Sequence, residues 1–280
     1  MRTIAITAYR RPHLFAAMLK TLTANDLSGW RVMIAIEPSP AAREIESIAD
    51  ELLAGCDTDV MINEVRLGIR DNPFRLIERA FVKGAELLLY LEEDLLLSPD
   101  VTRLALWYEE HHRPEWLCLN LLAGGCASTG FLSNPDHSDL LFSGHSFNSL
   151  GFAVRRSEWE RYMRAAWIDE PDCVVKFDGV PTGGWDWSVF AMLMNNPHLR
   201  TLQPVLARSI HNGRLSGEHC APQFHDAAFA GLPLYPGEAE APAYRVEIID
   251  LLPTTVRRHA RLWYEMTCAL NALAKALAKR

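Results

Sequence analysis

The sequence predicts an α/β protein with a mixed, mostly parallel sheet flanked by helices. Two observations predict this class. Short apolar segments alternate with amphipathic segments through the first third of the chain, which is the pattern of parallel strands joined by helical crossovers. One apolar segment, residues 87–91, reads Leu-Leu-Leu-Tyr-Leu, which is typical of a strand buried on both faces.

The elements of the first third are predicted in chain order. Residues 3–7 form a strand, and the helix that follows begins at Pro12, a residue suited to a first helical turn. The helices are predicted from apolar residues at helical spacing, such as Leu14, Met18 and Leu22. The helices span residues 12–22, 41–54 and 72–84, and the later strands span residues 30–37, 59–65 and 86–91.

The second half of the chain is less regular. Strands are predicted at residues 116–122, 149–154 and 201–210, with helices at 157–166, capped by Ser157, and at 186–194. Glycine and proline are frequent between residues 212 and 242, so we expect a long and partly mobile segment there.

The end of the chain is predicted to differ from the rest. We expect residues 1–250 to form one domain and residues 251–280 to form a basic amphipathic helix. This helix has Leu262, Met266, Leu270, Leu273 and Leu277 at helical spacing, and six basic residues against one acid. Packing on the rest of the protein and peripheral contact with an anionic membrane are both open.

Composition limits the class of protein. The net charge of −7 argues against a nucleic-acid-binding protein, which normally has a basic face, but leaves room for a local nucleotide site. The six cysteines form no C-x-x-C pair, so neither a zinc site nor a disulfide framework is expected. The chain begins directly with a strand and has no bilayer-spanning apolar run, so we expect a cytoplasmic location.

Three acids, Glu92, Glu93 and Asp94, directly follow the buried strand. Adjacent carboxylates need partners when buried, so they are expected to emerge at the end of the strand. Ligands of open α/β sheets bind at the carboxyl ends of strands, and divalent cations that hold phosphates prefer oxygen ligands. The triplet therefore predicts a metal site for a phosphate-bearing ligand, with a solvated acidic loop as the alternative.

Four segments resemble the N-acetylglucosaminyltransferase I family, whose members have the glycosyltransferase A fold and transfer N-acetylglucosamine from UDP with inversion. The segments are residues 5–11, 90–100, 149–187 and 207–225. The second contains Glu92-Glu93-Asp94-Leu95 and a Ser-Pro-Asp turn, and is similar to the family's Glu-Asp-Asp-Leu metal segment. Glu93 stands where the family usually has Asp. The membrane anchor of the eukaryotic enzymes has no counterpart in this sequence, so the resemblance concerns fold and chemistry and not compartment or acceptor.

The resemblance implies a role for each acid of the triplet. Asp94 is the expected ligand of Mn²⁺ or Mg²⁺, Glu93 is expected to face the ribose hydroxyls, and Glu92 is expected to face the donor sugar. The implied donor is a UDP-sugar, and the implied acceptor is a glycan or glycolipid. The metal would neutralise charge on the leaving diphosphate.

The resemblance also implies residues that bind the nucleotide. Glu37 ends the second strand, where the family has an acid that accepts a hydrogen bond from uracil. Arg11 follows the first strand and resembles the family's nucleotide-contacting arginine. A solvated acid and a surface arginine are the alternatives. The remaining donor-binding candidates are Thr7, Tyr9, Arg70 and Asn72, the last two in a turn predicted at residues 67–72.

The motif Gly184-Trp185-Asp186-Trp187 supplies a candidate general base. Inverting transfer needs one base to take the acceptor proton, and flanking tryptophans would stack on sugars and desolvate the carboxylate. Alternatively, Asp186 only caps the helix that follows it. Asp178 is a second candidate for the base.

His211 ends a predicted strand and is a candidate second metal ligand or phosphate contact, as in many A-fold transferases. Arg214 is a candidate contact for the diphosphate, and we expect residues 213–231 to close over the donor as a lid. His219, Cys220 and His225 have the residue types of a zinc site, but their spacing is too loose to predict one.

Three further functions stay open. A sugar nucleotidyltransferase needs a glycine-rich loop after the first strand, and residues 7–12, Thr-Ala-Tyr-Arg-Arg-Pro, lack glycine. The sequence is also compatible with a carbohydrate-binding or scaffold protein whose site has decayed, and with a transferase that uses a different nucleotide sugar.

Overall fold

A computed structural model provides the structure of the chain. It describes residues 1–122, 138–145, 147–168, 175–177, 180–182, 185–214, 222–229, 232–237 and 242–248. The predicted C-terminal helix, Asp178, His219 and Cys220 lie outside these residues, as do residues 215–221, 230 and 231 of the predicted lid.

The first third alternates strands and helices, as predicted. The elements are β1 (Arg2–Ala8), α1 (Pro12–Leu22), β2 (Trp30–Ile36), α2 (Ala42–Leu52), β3 (Asp57–Ile62), α3 (Gly68–Val82) and β4 (Leu87–Glu92). Helix α3 begins four residues earlier than predicted, so Arg70 and Asn72 lie in its first turns and not in a loop.

The middle of the chain adds β5 (Leu95–Leu97), α4 (Val101–Glu110), β6 (Trp116–Asn120), β7 (Leu140–Gly144) and β8 (Phe152–Arg155). A helical stretch follows, composed of α5 (Arg156–Glu158), a π-helical turn (Trp159–Met163) and α6 (Arg164–Ile168). It begins at Arg156 without a side-chain cap, so the predicted cap by Ser157 is wrong.

The last described elements are β9 (Val175–Phe177), β10 (Val180–Thr182), α7 (Trp185–Asn195), β11 (Arg200–Pro204), β12 (Ser209–His211), α8 (Pro222–Phe229) and β13 (Arg245–Ile248). Helix α8 lies in the segment predicted to be irregular. No described helix is both long and apolar enough to cross a membrane.

Nine strands form one sheet in the order β13-β7-β11-β6-β8-β4-β1-β2-β3. Five of the eight strand pairings are parallel and three are antiparallel. The helices cover both faces of this sheet. The predicted class, a mixed and mostly parallel sheet flanked by helices, is confirmed.

Strand β4 shows why the apolar run is continuous. Leu87, Leu89 and Leu91 pack in one core with α1, α2 and α4, whereas Leu88 and Tyr90 pack in a second core with α3 and α7. Because side chains alternate between the two faces of a strand, a sheet covered on both faces needs apolar residues at every position.

The strand predicted at residues 201–210 is two strands. β11 lies in the large sheet, whereas β12 leaves it and pairs with β5 as a two-stranded antiparallel ribbon. The two strands are separated by only four residues and mix polar with apolar side chains, so the sequence does not reveal that they have different partners.

Candidate functional site

An open cleft of about 130 Å³ lies where β1, β2 and β4 end and α3 begins. Its position is where ligands bind in open α/β sheets. The parallel register of β1 and β4 pairs Thr7 with Glu92 and so brings the two strand ends together. Seven predicted site residues line the cleft: Thr7, Tyr9, Arg11, Glu37, Asn72, Glu92 and Glu93.

Glu93 and Asp94 form the turn between β4 and β5, and each is only 3% exposed. The backbone N–H of Tyr9 donates to Oε2 of Glu93 at 2.8 Å, and Nε of Arg11 donates to Oε1 at 2.6 Å. Burial of these acids is tolerated because each Glu93 oxygen has a donor from the segment after β1.

Asp94 lies between a guanidinium and an imidazole. Its Oδ2 atom is 2.9 Å from Nη1 of Arg11 and 3.0 Å from Nε2 of His211. Burial alone would raise the pKa of Asp94, but the hydrogen bond and charge of His211, together with the charge of Arg11, hold this pKa below its ordinary value. Asp94 is therefore an ionised carboxylate.

The β5–β12 ribbon brings His211 to Asp94. Its register sets His211 opposite Leu95, and the N–H of Asn212 donates to the carbonyl of Asp94 at 2.7 Å. A Cβ atom on Gly213 would lie 2.8 Å from Nε2 of His211 and 2.9 Å from Oδ2 of Asp94. The contact between the two side chains therefore needs glycine at this position.

Among the described residues, no group of three or more His, Cys, Asp or Glu side chains could hold a metal ion. Asp94 and His211 nevertheless offer a carboxylate and an imidazole, a donor set that suits Mn²⁺. Oδ1 of Asp94 is buried and has no hydrogen-bond partner in the described part of the chain. The pair fits a metal whose other ligands are phosphate oxygens and water.

Glu92 belongs to a second hydrogen-bonded group in the cleft. The hydroxyl of Tyr90 lies 2.8 Å from Oγ1 of Thr7 and donates to Oε1 of Glu92 at 3.3 Å. Burial raises the pKa of Glu92 to about 8, and the negative charges of Asp94 and Asp186 contribute to this rise. Glu92 is therefore largely protonated at neutral pH, unlike its neighbour Asp94.

Asp186 lies in the first turn of α7, which begins at Trp185. It is half-buried, and its negative charge contributes to the raised pKa of Glu92. The expectation that Trp185 stacks on a sugar is wrong. Its ring is 2% exposed and stacks on Trp167 with the centroids 3.7 Å apart.

Glu37 has a structural partner that the sequence did not indicate. Its carboxylate accepts hydrogen bonds from the N–H of Leu67, at 2.9 Å, and from the N–H of Gly68, at 2.7 Å. Free N–H groups at a helix start attract an acid, which explains the early start of α3. Asn72 is also held, since its Oδ1 accepts from Nδ2 of Asn63 at 2.9 Å.

Two predicted donor-binding residues are not in the lining of the cleft as far as the structure describes it. Arg70 is exposed and pairs with Asp71 at 2.9 Å. Arg214 makes two hydrogen bonds to Asp226 of α8, at 2.6 and 2.7 Å, with about half of each side chain exposed.

Three polar residues in the lining of the cleft, Tyr90, Arg10 and Arg66, were not predicted from the sequence. Tyr90 is hidden in an apolar run, although a buried tyrosine hydroxyl normally needs a partner. Arg10 and Arg66 hold their guanidinium groups 5.2 and 4.7 Å from the ring centroid of Tyr9. Arg66 lies 57 positions after Tyr9 in the sequence, and no local pattern connects the two.

Comparisons with known proteins found similar solved structures at low sequence identity. No family model and no curated protein matches the chain. Mannosyltransferase PcManGT from Pyrobaculum calidifontis, solved with GDP-Man and Mn²⁺, aligns over 98% of this chain and 64% of its own at 12% identity, with a TM-score of 0.48.

Two bacterial structures align over less of this chain. For S. aureus TarS 1-349 in complex with UDP-GlcNAc, the alignment covers 69% of this chain and 54% of that chain at 13% identity and a TM-score of 0.42. For the apo glycosyltransferase GlyE of Streptococcus pneumoniae TIGR4, the alignment covers 70% of this chain and 43% of that chain at 16% identity, with a TM-score of 0.43. This chain therefore covers less than two thirds of the length of each of these three structures. Its function has to be inferred from its own residues.

Proposed function

We propose that this chain is a metal-dependent, inverting glycosyltransferase of the A fold. It would move a sugar, with N-acetylglucosamine the first candidate, from a UDP-sugar to a hydroxyl of a glycan or glycolipid. The observation that supports this most is the ionised Asp94 between Arg11 and His211, at the end of the cleft formed by parallel strands.

The donor would lie along the cleft with its nucleoside near β1 and β2. Glu37 and Asn72 are assigned to the base, and Glu93 to the ribose hydroxyls. Tyr9 and Thr7 contribute to the same wall. Arg70 and Arg214 are assigned to the donor only if their side chains move, because both are paired elsewhere.

Asp94 and His211 would hold Mn²⁺ or Mg²⁺ together with oxygens of the donor diphosphate. The bound metal would supply positive charge to the leaving diphosphate. Such a site needs few protein ligands, because phosphate and water complete it.

The reacting sugar would lie between Glu92 and Asp186. A protonated Glu92 donates a hydrogen bond to a sugar hydroxyl and adds no repulsion to the diphosphate. Asp186 would take the proton of the acceptor hydroxyl as its oxygen attacks the anomeric carbon. Attack from the side opposite the diphosphate inverts the configuration at that carbon.

The experiment is a donor panel assayed for nucleotide release and for transfer, with Mn²⁺ and with EDTA. UDP-N-acetylglucosamine, UDP-glucose and GDP-mannose distinguish the nucleotide and the sugar, and NMR of the product gives the anomeric configuration. Binding of glycans without binding of any nucleotide would favour a carbohydrate-binding protein. Release of pyrophosphate from UTP and a sugar phosphate would favour a nucleotidyltransferase.

The location of the reaction is a further part of the proposal. A lipid-linked acceptor would suit an enzyme that touches a membrane through residues 251–280, the segment predicted to follow a domain of residues 1–250. Salt-sensitive binding to anionic liposomes, with an active truncated protein, would support this role. Unfolding of the truncated protein would assign the segment to packing.

A further inference from the structure

We propose that Arg11 is an internal cation of the donor site. It neutralises Glu93 and Asp94 while the site is empty, and it transfers to the donor diphosphate when a metal binds to Asp94. This inference rests on the proposed function and adds a consequence for ligand binding: metal and nucleotide bind together much more strongly than either binds alone.

The contacts of Arg11 are those of a bridging cation. Its Nε lies 2.6 Å from Oε1 of Glu93, and its Nη1 lies 2.9 Å from Oδ2 of Asp94. One guanidinium therefore serves two adjacent carboxylates, each almost fully buried. Without this charge, two neighbouring buried anions would repel each other at a high cost in free energy.

The same contacts obstruct a metal. Oδ2 of Asp94 already faces Nη1 of Arg11 and Nε2 of His211, so a metal on this oxygen has to replace at least the guanidinium. A metal on Oδ1, which has no partner among the described residues, would still lie close to the positive charge of Arg11. Two positive charges on one carboxylate oxygen also repel each other. Metal binding to the empty site is therefore opposed by Arg11.

The backbone of Arg11 is held, so only its side chain is free to change partner. Its carbonyl accepts hydrogen bonds from the N–H groups of Leu14 and Phe15, both at 3.0 Å, and Pro12 follows directly. The side chain already lines the cleft and is 19% exposed. A diphosphate in the cleft presents oxygens that match a guanidinium in charge and geometry.

The two ligands would then favour each other. The diphosphate attracts Arg11 away from the acids, which frees Asp94 for the metal, and the metal frees Arg11 for the diphosphate. Because such coupling is reciprocal, metal should tighten nucleotide binding by the same factor by which nucleotide tightens metal binding.

The test measures Mn²⁺ binding by electron paramagnetic resonance and UDP binding by calorimetry, each with and without the other ligand, on the full chain. Arg11→Gln should bind Mn²⁺ alone roughly tenfold more tightly and bind UDP with Mn²⁺ roughly tenfold more weakly, which are changes typical of coupled sites. Arg11→Lys keeps the positive charge but loses the two-pronged geometry of the guanidinium. Its affinities for Mn²⁺ and UDP should therefore lie between those of wild type and Arg11→Gln. Arg43→Gln removes a charge from the exposed face of α2 and should change neither affinity.

Opposite changes in the two affinities separate this role from a structural one, which would weaken both. Tight binding of Mn²⁺ alone to the wild-type protein, with no coupling to UDP, would overturn the inference and leave the proposed function intact. Weaker Mn²⁺ binding by both Arg11 variants would also overturn it. Failure of the wild-type protein to bind UDP under any condition would instead reject the proposed function.

Discussion

Nε2 of His211 lies 3.0 Å from Oδ2 of Asp94, although 117 positions separate the two residues. The pairing of β5 with β12 brings these two residues together. A second charged pair lies at the other end of this ribbon, where Nε of Arg208 is 3.0 Å from Oδ2 of Asp100. Both members of that pair are fully buried. The geometry of the candidate metal site therefore depends on a short ribbon with a polar contact at each end.

Replacing Asp94 with Asn should weaken metal-dependent UDP binding by at least about tenfold, because the neutral amide keeps an acceptor for His211 but loses the charge that attracts a cation. Calorimetry with Mn²⁺ and with EDTA measures the effect. Asp139→Asn, at an exposed pair with Arg245, is the control. Equal UDP affinity in wild type and Asp94→Asn would remove Asp94 from the metal site.

Gly213→Ala should separate His211 from Asp94, since the added Cβ would lie under 3.0 Å from both side chains. We expect Mn²⁺ affinity in the presence of UDP to fall roughly tenfold, as when other contacts that orient metal ligands are lost. Gly29→Ala controls for general destabilisation, because this glycine has φ +76° and no atom near the added Cβ. Unchanged metal affinity in Gly213→Ala would show that the contact is not needed.

Arg208→Met should lower the free energy of unfolding by about 3–5 kcal/mol, because it leaves the buried Asp100 charged and without its ion-pair partner. The double variant Arg208→Met with Asp100→Leu should recover most of this loss, since it removes both charges. Urea denaturation measures all three proteins. Arg245→Gln, which breaks an exposed pair, should cost less than about 1 kcal/mol.

Asp186→Asn should reduce the transfer rate roughly 10²-fold with little change in donor affinity, because it keeps the shape of the side chain but removes the base. Transfer kinetics and UDP calorimetry on the same preparation separate the two quantities. A variant with near-native turnover would mean that Asp186 only supports the first turn of α7.

Glu92 should make stability depend on pH. Its pKa rises from 4.5 to about 8 in the folded protein, so the folded state binds more protons than the unfolded state between these values. The stabilisation is therefore complete below about pH 4.5 and is lost as the pH rises through 8. The difference in melting temperature between Glu92→Gln and wild type should increase in favour of the variant as the pH rises from 6 to 9. The exposed Glu110→Gln should show no such trend. A constant difference would contradict the raised pKa.

The cleft could be located from the sequence because its residues follow strands whose apolar runs identify them. Thr7, Glu37 and Glu92 sit at the ends of β1, β2 and β4, and neighbouring parallel strands end at the same edge of a sheet. Local patterns of this kind depend only on the spacing of apolar residues and on the burial that this spacing implies, and both can be read from the sequence.

Several relationships required the tertiary structure. The contacts of Asp94 with His211, of Tyr9 with Arg66 and of Glu37 with Gly68 join residues far apart in sequence, and no local pattern specifies them. The pairing of β12 with β5 was hidden for the same reason.

By itself, the sequence determined the α/β class, the order of the first elements and the acids at the end of β4, because each follows from residue type and spacing along one segment. Only the tertiary structure decided which of those acids is ionised. Asp94 meets the guanidinium of Arg11 and a hydrogen bond with His211 and keeps its charge, whereas Glu92, two positions earlier, is buried beside other negative charges and holds its proton.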